Sequence, residues 1–200
     1  FYAWTARAGG AWRNQVNSGD IILVCDVGGG TTDLTLISVA GEGGELILQR
    51  TAVGKHLLVG GDNMDLALAH MTAGKLAEKG TKLNPWQSIS LWHSCRAAKE
   101  QLLVEKAPKN QTISVLGRGS KLIGGTLSIM IERDEVAELL ADGFFPECEI
   151  SDRPTAKRQS GFQEIGLPYE TDTAITRHIA AFLNDHGDKH PVRPTHILFN

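Results

Sequence analysis

Short apolar runs alternate with glycine-rich and acidic breaks in the first quarter of the chain. Three of these runs are rich in β-branched or aliphatic residues, which is typical of strands: Ile21–Cys25, Leu34–Val39 and Leu46–Val53. Because the links between them are short, the pattern predicts an antiparallel β-meander. Ahead of the meander, apolar side chains recur every three or four residues over positions 1–16 and predict one face of a helix.

Helical spacing replaces the strand pattern after Gly60 and Gly61. The predicted buried side of the helix that follows consists of Met64, Leu68, Met71 and Leu76. A second helix has a clear start, with Asn84 as its cap, Pro85 in the first position and Gln87 three residues after the cap. Its predicted buried stripe consists of Leu91, Cys95, Ala98 and Leu102.

Strand and helix signals follow one another in the next part of the chain. Residues 111–115 and 121–131 predict two strands around a turn at residues 117–120. Residues 132–141 predict a short helix, with Gly143 closing it beyond its last turn. With the two preceding helices, these elements predict a small α/β unit beside the first sheet.

The C-terminal part predicts a loop, a helix and a strand. Residues 146–168 are polar and interrupted by proline and glycine, which favours a solvated loop. A helix is predicted over about residues 171–186, and its inward side consists of Ile175, Ile179, Phe182 and Leu183. The chain then ends in a predicted strand over residues 195–200.

Residues 26–33, which read D-V-G-G-G-T-T-D, connect the first two predicted strands. Three consecutive glycines leave the turn without side chains, so backbone N–H groups can point outward and an anion can approach closely. An Asp at each end suits a hydrated Mg²⁺ bound to a phosphate. The stretch therefore predicts a Mg²⁺-nucleotide site. The alternative is a plain hairpin whose glycines supply positive φ and whose aspartates cap the turn.

Two further places offer polar groups. Gly60 and Gly61 lead into a helix that begins with Asp62, and exposed N–H groups there would suit a polar ligand, although a capped helix explains the same residues equally well. Arg96 and Lys99 fall on one face of the second helix, where spacing alone favours ordinary solvated charges.

Composition narrows the class of protein. With 42% hydrophobic and 22% charged residues, the chain has the composition of a soluble globular protein. A net charge of -3 with scattered basic residues excludes a basic surface for nucleic acid, and no apolar run is long enough to predict a membrane span. Three cysteines are too few for a disulfide framework, so we expect a reducing, cytoplasmic location.

Three motifs in series resemble those of a known family. The pattern D-x-G-G-G-T-x-D of residues 26–33 resembles the second phosphate motif of actin-like ATPases. The G-G-D-N-M-D of residues 60–65 resembles the G-G-E-D-F-D of DnaK-type heat-shock chaperones, and the C-R-A-A-K of residues 95–99 resembles their C-E-R-A-K. The chain is therefore similar to the ATPase domain of the heat-shock protein 70 family.

The resemblance implies a fold and a division into subdomains. It implies an α/β fold of the actin-like ATPase (ribonuclease H-like) type, corresponding to lobe II of the family's ATPase domain. Residues 1–59 and 144–200 would form its base subdomain, containing the β-meander, and residues 60–143 a smaller lateral α/β subdomain that closes over adenosine. Residues 147–167 have little counterpart in the family and are interpreted as an insertion.

The resemblance also implies ATP or ADP with Mg²⁺ as ligands, and the residues that hold them. The residues implied at the phosphates are Gly28, Gly29, Gly30 and Thr31. Asp26 would lie in the outer shell of Mg²⁺, through water, and Asp33 would help orient the attacking water or the metal shell. With Thr31, these are the implied catalytic residues. The further implied nucleotide contacts are Gly60, Gly61, Asp62, Arg96 and Lys99.

The same resemblance implies a larger protein with further partners. Both ends of the sequence look cut from a longer chain, so we expect the remaining lobe, a peptide-binding domain and co-chaperones as partners of the intact protein. This stretch alone is expected to bind ATP weakly and hydrolyse it negligibly, because phosphoryl transfer needs groups from several directions.

Two other functions stay open. The first is an actin-like filament or cell-division ATPase, because such proteins have a similar second phosphate motif. The second is a degenerate, non-hydrolysing binding platform. It is suggested by Arg96, Glu100 and Leu103, which stand where the resembled family has Glu, Arg and Ser.

Overall fold

The computed structural model describes residues 2–116, 126–155 and 170–199. The chain divides into two compact units, Phe1–Gly61 with Glu147–Asn200, and Asp62–Pro146. In chain order the elements are α1 (Tyr2–Ala8), a 3-10 helix (Gly9–Asn14), β1 (Ile21–Val27), β2 (Thr32–Glu42), β3 (Glu45–Val53), α2 (Gly61–Glu78), α3 (Pro85–Leu102), β4 (Asn110–Leu116), β5 (Thr126–Glu132), α4 (Arg133–Phe144), α5 (Ile175–Asp185) and β6 (His196–Phe199).

The first unit is built on a four-stranded sheet with the order β3-β2-β1-β6. Strands β1, β2 and β3 are antiparallel neighbours, which confirms the predicted meander. Strand β6 lies parallel to β1 on its other side, with His196 opposite Ile22. Four consecutive side chains of β1, Ile22–Cys25, are buried, so both faces of this central strand are covered.

Helical segments cover the sheet. Trp12 and Val16 pack with Ile22, Val24 and Ile37 in one buried cluster on the first face. Helix α5 packs against β2.

The N-terminal helix differs from the prediction of one continuous helix. The α-helix ends at Ala8, and Gly9, the first residue of the 3-10 helix, adopts a left-handed φ of 53°. An α-helix cannot continue through this backbone conformation. The predicted apolar stripe nevertheless reaches the core, because Trp12 and Val16 are buried and Trp4 is half-buried beside them.

Asp172, which precedes α5, joins that helix to Thr155 in the polar segment predicted over residues 146–168. The Asp172 carboxylate accepts hydrogen bonds from Arg177 Nε and Nη2, both at 2.8 Å, from the Thr155 amide at 2.8 Å and from the Ala174 amide at 2.9 Å. Burial opposes ionisation, but the hydrogen bonds from Arg177 and the two amides outweigh it and hold the pKa of Asp172 well below its ordinary value. The carboxylate is therefore ionised wherever the protein is folded at ordinary pH.

The second unit contains α2, α3, α4 and the antiparallel pair β4 and β5, with α3 packed on β4 and α4 on β5. Helix α3 confirms its prediction in full. Asn84 and Gln87 form the reciprocal capping box, Pro85 stands at the start, and the predicted stripe of Leu91, Cys95, Ala98 and Leu102 is buried. Gln87 also donates a hydrogen bond to the Leu116 carbonyl at 3.0 Å, which fixes the start of α3 to β4.

Two helix predictions in this unit need correction. On α2, Leu68 and Leu76 are buried as predicted, but Met64 and Met71 are only half-buried because the inward face is shifted toward polar residues such as Asp65. Helix α4 does not end before Gly143. It continues one residue further, because Phe144 is almost fully buried and its burial extends the last turn.

Near the C-terminus, α5 (Ile175–Asp185) is shorter than the helix predicted over about residues 171–186, and one of its buried residues differs. On α5, Ile175, Phe182 and Leu183 are buried as predicted, whereas Ile179 is half-buried. His178 is buried instead, with its Nε2 2.9 Å from the Asp172 carbonyl. The turn at residues 117–120, the first part of the strand predicted over 121–131, and most of the insertion predicted over 147–167 lie outside the described residues. Within the described ranges, no helix combines the length and apolarity that crossing a membrane requires.

Candidate functional site

The loop between β1 and β2 forms an exposed glycine tip. The strand pairing ends with Val27 opposite Thr32, which leaves Gly28, Gly29, Gly30 and Thr31 as the loop. The three glycines are exposed, and the Gly28 amide donates to the Thr31 carbonyl at 2.8 Å. The predicted tip therefore exists and faces outward rather than into the protein.

The loop amides are not all available, however. We expected the glycine N–H groups to point outward together, but that of Gly28 is used inside the turn. Its carbonyl also accepts a hydrogen bond from the Gly61 amide at 3.0 Å. Within the described ranges, the amides of Gly29 and Gly30 donate to no other group of the chain. These two amides are consequently donors that the tip can present to an anion.

Close backbone contact explains the glycines better than turn conformation does. Gly28 does not adopt a left-handed φ, so the plain-hairpin explanation fails at this position. A Cβ on Gly60 would lie 2.5 Å from the Gly28 carbonyl oxygen and 2.7 Å from that of Gly29, closer than a side chain tolerates. Gly60 is a glycine because the hairpin backbone passes directly against it.

The segment between β3 and α2 fixes the hairpin from one side. The Gly54 amide donates to the Leu34 carbonyl at 2.8 Å, and Leu57 exchanges two backbone hydrogen bonds with Thr32 at 2.9 and 3.1 Å. Thr32 is fully buried, and its hydroxyl donates to the Val59 carbonyl at 2.8 Å. The start of β2, from which the loop projects, is therefore hydrogen-bonded to residues 54–59 at several points.

Two carboxylates flank the tip. Asp26 and Asp33 are directly opposite each other in the β1–β2 register, so their side chains leave the same face of the sheet. Like charges in this arrangement are destabilising unless something positive lies between or beside them. A hydrogen-bond donor lies beside one of them, because Nδ1 of His56 contacts Oδ1 of Asp33. The arrangement suits a cation or a cation-bearing ligand.

The remaining predicted contacts belong to the second unit. Arg96 is more than half exposed, and it lies 3.6 Å from Asp62 and 3.3 Å from Glu100. Lys99 differs, because its ammonium lies 2.6 Å from Asp65 and its side chain is only 13% exposed. The interpretation of Lys99 as an ordinary solvated charge is therefore wrong. Its charge balances a carboxylate that is almost fully buried.

A comparison with protein-family models shows which family the chain belongs to. The model described as Hsp70 protein matches residues 8–149, well over half of the chain. The chain belongs to the Hsp70 family. It thereby has the fold of an actin-like ATPase lobe, as the motifs predicted, and the family associates it with a chaperone-type ATP-binding domain. A search of curated proteins found no matching relative.

Two residues of this Hsp70-family chain were not selected from the sequence as site residues. His56 gave no signal because its contact with Asp33 depends on the pairing of Leu57 with Thr32, which the strand pattern does not predict. The sequence indicates Asp65 only as the last residue of the motif at residues 60–65. A charged residue among the inward-facing positions of a helix could have identified it as a partner for a buried cation.

Proposed function

We propose that this Hsp70-family chain binds the phosphates of Mg-ATP at its β1–β2 loop and serves as part of a chaperone ATPase. The observation that supports this most directly is the exposed tip, where the amides of Gly29 and Gly30 stand between the opposed carboxylates of Asp26 and Asp33. Amides suit phosphate oxygens, and carboxylates suit a hydrated Mg²⁺.

Each residue of the loop has a separate role in this proposal. Gly29, Gly30 and Thr31 hold phosphate oxygens, while Gly28 joins the loop to Gly61 through its carbonyl. Asp26 binds the Mg²⁺ shell through water, and Asp33 orients the attacking water. When bound, Mg²⁺ supplies charge neutralisation at the phosphates. The protein's own contribution is to hold these donors and acceptors on a rigid base.

The resemblance of the motifs implies further nucleotide contacts at Gly60, Gly61, Asp62, Arg96 and Lys99, and we propose these positions for the nucleoside. We propose that the two units are the base and lateral subdomains of lobe II, and that ATP turnover and chaperone function belong to the intact protein with its remaining lobe, peptide-binding domain and co-chaperones. The 200 residues alone would hydrolyse ATP negligibly, because phosphoryl transfer needs groups from several directions.

Calorimetric titration of the full-length protein with ATP, with and without Mg²⁺, tests the proposal. We expect Asp26→Ala to weaken binding in Mg²⁺ by about 10-fold or more and to leave binding without Mg²⁺ nearly unchanged, because the lost group acts through the metal's water shell. Asp188→Ala, which removes an exposed aspartate of the same unit, is the matched control. An Asp26→Ala protein with the same magnesium dependence as the unmodified one would contradict the assignment.

A second candidate, a non-hydrolysing binding platform, is favoured by one observation. Lys99 is already paired with the buried Asp65, and Arg96 lies beside Asp62 and Glu100, so these cations have partners inside the protein. The same titration separates the two functions. Measurable Mg-ATP binding supports the ATPase, whereas no heat of binding supports the platform.

We also propose a reducing location such as the cytoplasm. The cysteines Cys25, Cys95 and Cys148 are all free thiols. Two of them lie in the cores of different units, where they pack as small apolar side chains. Fractionation of cells with an antibody to the protein tests this location, and recovery from an oxidising compartment would contradict it.

A further inference from the structure

The position of His56 follows from a short stretch of strand pairing. Thr32 and Leu57 form an antiparallel bridge, with backbone hydrogen bonds in both directions. In an antiparallel pair, the residue after one member stands opposite the residue before the other. Asp33 and His56 are therefore cross-strand neighbours, and their side chains leave the face opposite to the buried Thr32 and Leu57.

The side-chain contact uses one oxygen of the carboxylate. Nδ1 of His56 contacts Oδ1 of Asp33, and among the described residues no other ion pair or hydrogen bond involves Oδ2 of this aspartate. Because the Asp33 side chain is 40% exposed, its neighbours do not otherwise fix its rotation. The imidazole thus holds one oxygen and leaves the second to face solvent in a defined direction.

Asp26, Asp33 and His56 consequently form a row across three neighbouring backbone segments. Asp26 faces Asp33 in the β1–β2 register, and His56 lies on the far side of Asp33. An exposed ion pair of this kind contributes little to stability, because water screens it and two side chains lose freedom. Its place beside the proposed water-orienting carboxylate indicates a role in geometry rather than in folding.

We propose that His56 is a positioning residue for ATP hydrolysis, which orients the Asp33 carboxylate toward the attacking water. This inference rests on the proposed function, because it assumes that Asp33 acts in turnover. In this role His56 makes one hydrogen bond, which its Nδ1–H donates to Oδ1 of Asp33. Its removal would leave Asp33 in place but free to rotate.

Steady-state kinetics of the full-length protein provide the first test. We expect His56→Ala to lower kcat by about 10-fold with little change in KM, because a lost outer-shell partner misorients a group rather than removing it. His56→Asn should recover most of kcat, since its amide can donate from nearly the same place as Nδ1. His190→Asn, at an exposed histidine of the same unit, is the matched control.

A double-variant cycle separates positioning from other effects. If His56 acts through Asp33, then His56→Ala should cause no further loss of kcat in an Asp33→Asn background. Additive losses would overturn the inference. An unchanged kcat in His56→Ala would overturn it while leaving Mg-ATP binding, and so the proposed function, intact. Absence of Mg-ATP binding by the unmodified protein would overturn both.

The ring of His56 also gives a signal that needs no nucleotide. In ¹⁵N spectra of the nucleotide-free protein, we expect Nδ1 of His56 to carry a proton, because it donates to a carboxylate. The same nitrogen should lose this preference in Asp33→Ala. An unprotonated Nδ1 in the unmodified protein would overturn the proposed contact independently of any activity.

Discussion

Gly60 shows how much of the site depends on a single missing side chain. Its Cα lies so close to the hairpin that a methyl group would meet backbone oxygens of Gly28 and Gly29, which cannot rotate away. The hydrogen bond from the neighbouring Gly61 to Gly28 holds the two segments at this separation. The missing side chain of Gly60 therefore sets the position of the loop.

Replacing Gly60 with alanine should accordingly displace the hairpin. We expect Gly60→Ala to lower the free energy of unfolding by about 1–3 kcal/mol, the usual cost of overpacking. Gly10→Ala is the matched control, since a Cβ there meets nothing within 4 Å and the position has no left-handed φ, so its stability should stay equal or rise slightly. Urea unfolding of both variants measures the difference, and equal midpoints would contradict the close contact.

At the scale of single residues, sequence prediction succeeded where the cause is local. The cap at Asn84 and the stripe from Leu91 were predicted because every signal lies within a few residues along the chain. The pairing of Lys99 with Asp65 was not, because it joins positions on two different helices. His56 was not predicted either, because its contact with Asp33 also joins positions that are far apart along the chain.

Among the elements, α5 is fixed to the preceding loop by one buried carboxylate. Asp172 binds Arg177 through both of its oxygens and also holds the amides of Thr155 and Ala174. A single side chain thus connects the start of a helix to the end of a described loop segment. Loss of its charge should affect all of these contacts together.

This network predicts that the free energy of unfolding decreases at acidic pH. The folded pKa of Asp172 lies below its ordinary value of 3.8, so its contribution is fully present above that pH and is lost as the pH falls toward the folded value. Asp172→Asn should lower the free energy of unfolding at neutral pH by about 3 kcal/mol, because Arg177 is left unpaired. It should also flatten the pH dependence below about pH 4.

Unfolding measured between pH 3 and 7 checks both effects. Glu45→Gln is the matched control, because Glu45 pairs with Arg13 at 3.5 Å on the exposed surface, where an ion pair contributes less than about 1 kcal/mol. If both variants show the same pH dependence, Asp172 is not the group responsible.

Element boundaries show where local signals are insufficient. Gly9 and Gly143 both interrupt a helical pattern, yet only Gly9 ends its α-helix. The difference comes from the next residues, since burial of Phe144 extends α4 beyond Gly143. Tertiary packing of this kind is not encoded in the glycine itself, so the sequence alone predicted the reverse: a helix that continues past Gly9 and one that ends at Gly143.

In the whole molecule, each unit contains its own buried thiol. Cys25 lies in the sheet of the first unit, where burial and the charge of Asp26 raise its pKa to about 11, and Cys95 lies in the second, where burial raises its pKa to about 12. Both thiols are therefore protonated at neutral pH and unreactive while their own unit is folded.

Thiol labelling can thus report on the two units separately. We expect Lys99→Met to accelerate alkylation of Cys95 on the order of 100-fold, because an unpaired Asp65 costs about 3 kcal/mol, and to leave Cys25 unaffected. The control is Arg96→Met, which removes an exposed cation from the same helix. Mass spectrometry of labelled peptides measures each rate. Equal acceleration of both cysteines would mean that the units open together.

The parallel pairing of β6 with β1 has a consequence for synthesis of the chain on the ribosome. The meander of β1, β2 and β3 is complete once residue 53 has emerged, but the outer edge of β1 along Ile22–Cys25 waits for His196–Phe199. During that interval an apolar strand with unsatisfied backbone groups is open to pairing with another nascent chain. Pairing of this open edge with a second nascent chain is therefore a specific hazard during translation, and it ends when β6 pairs with β1.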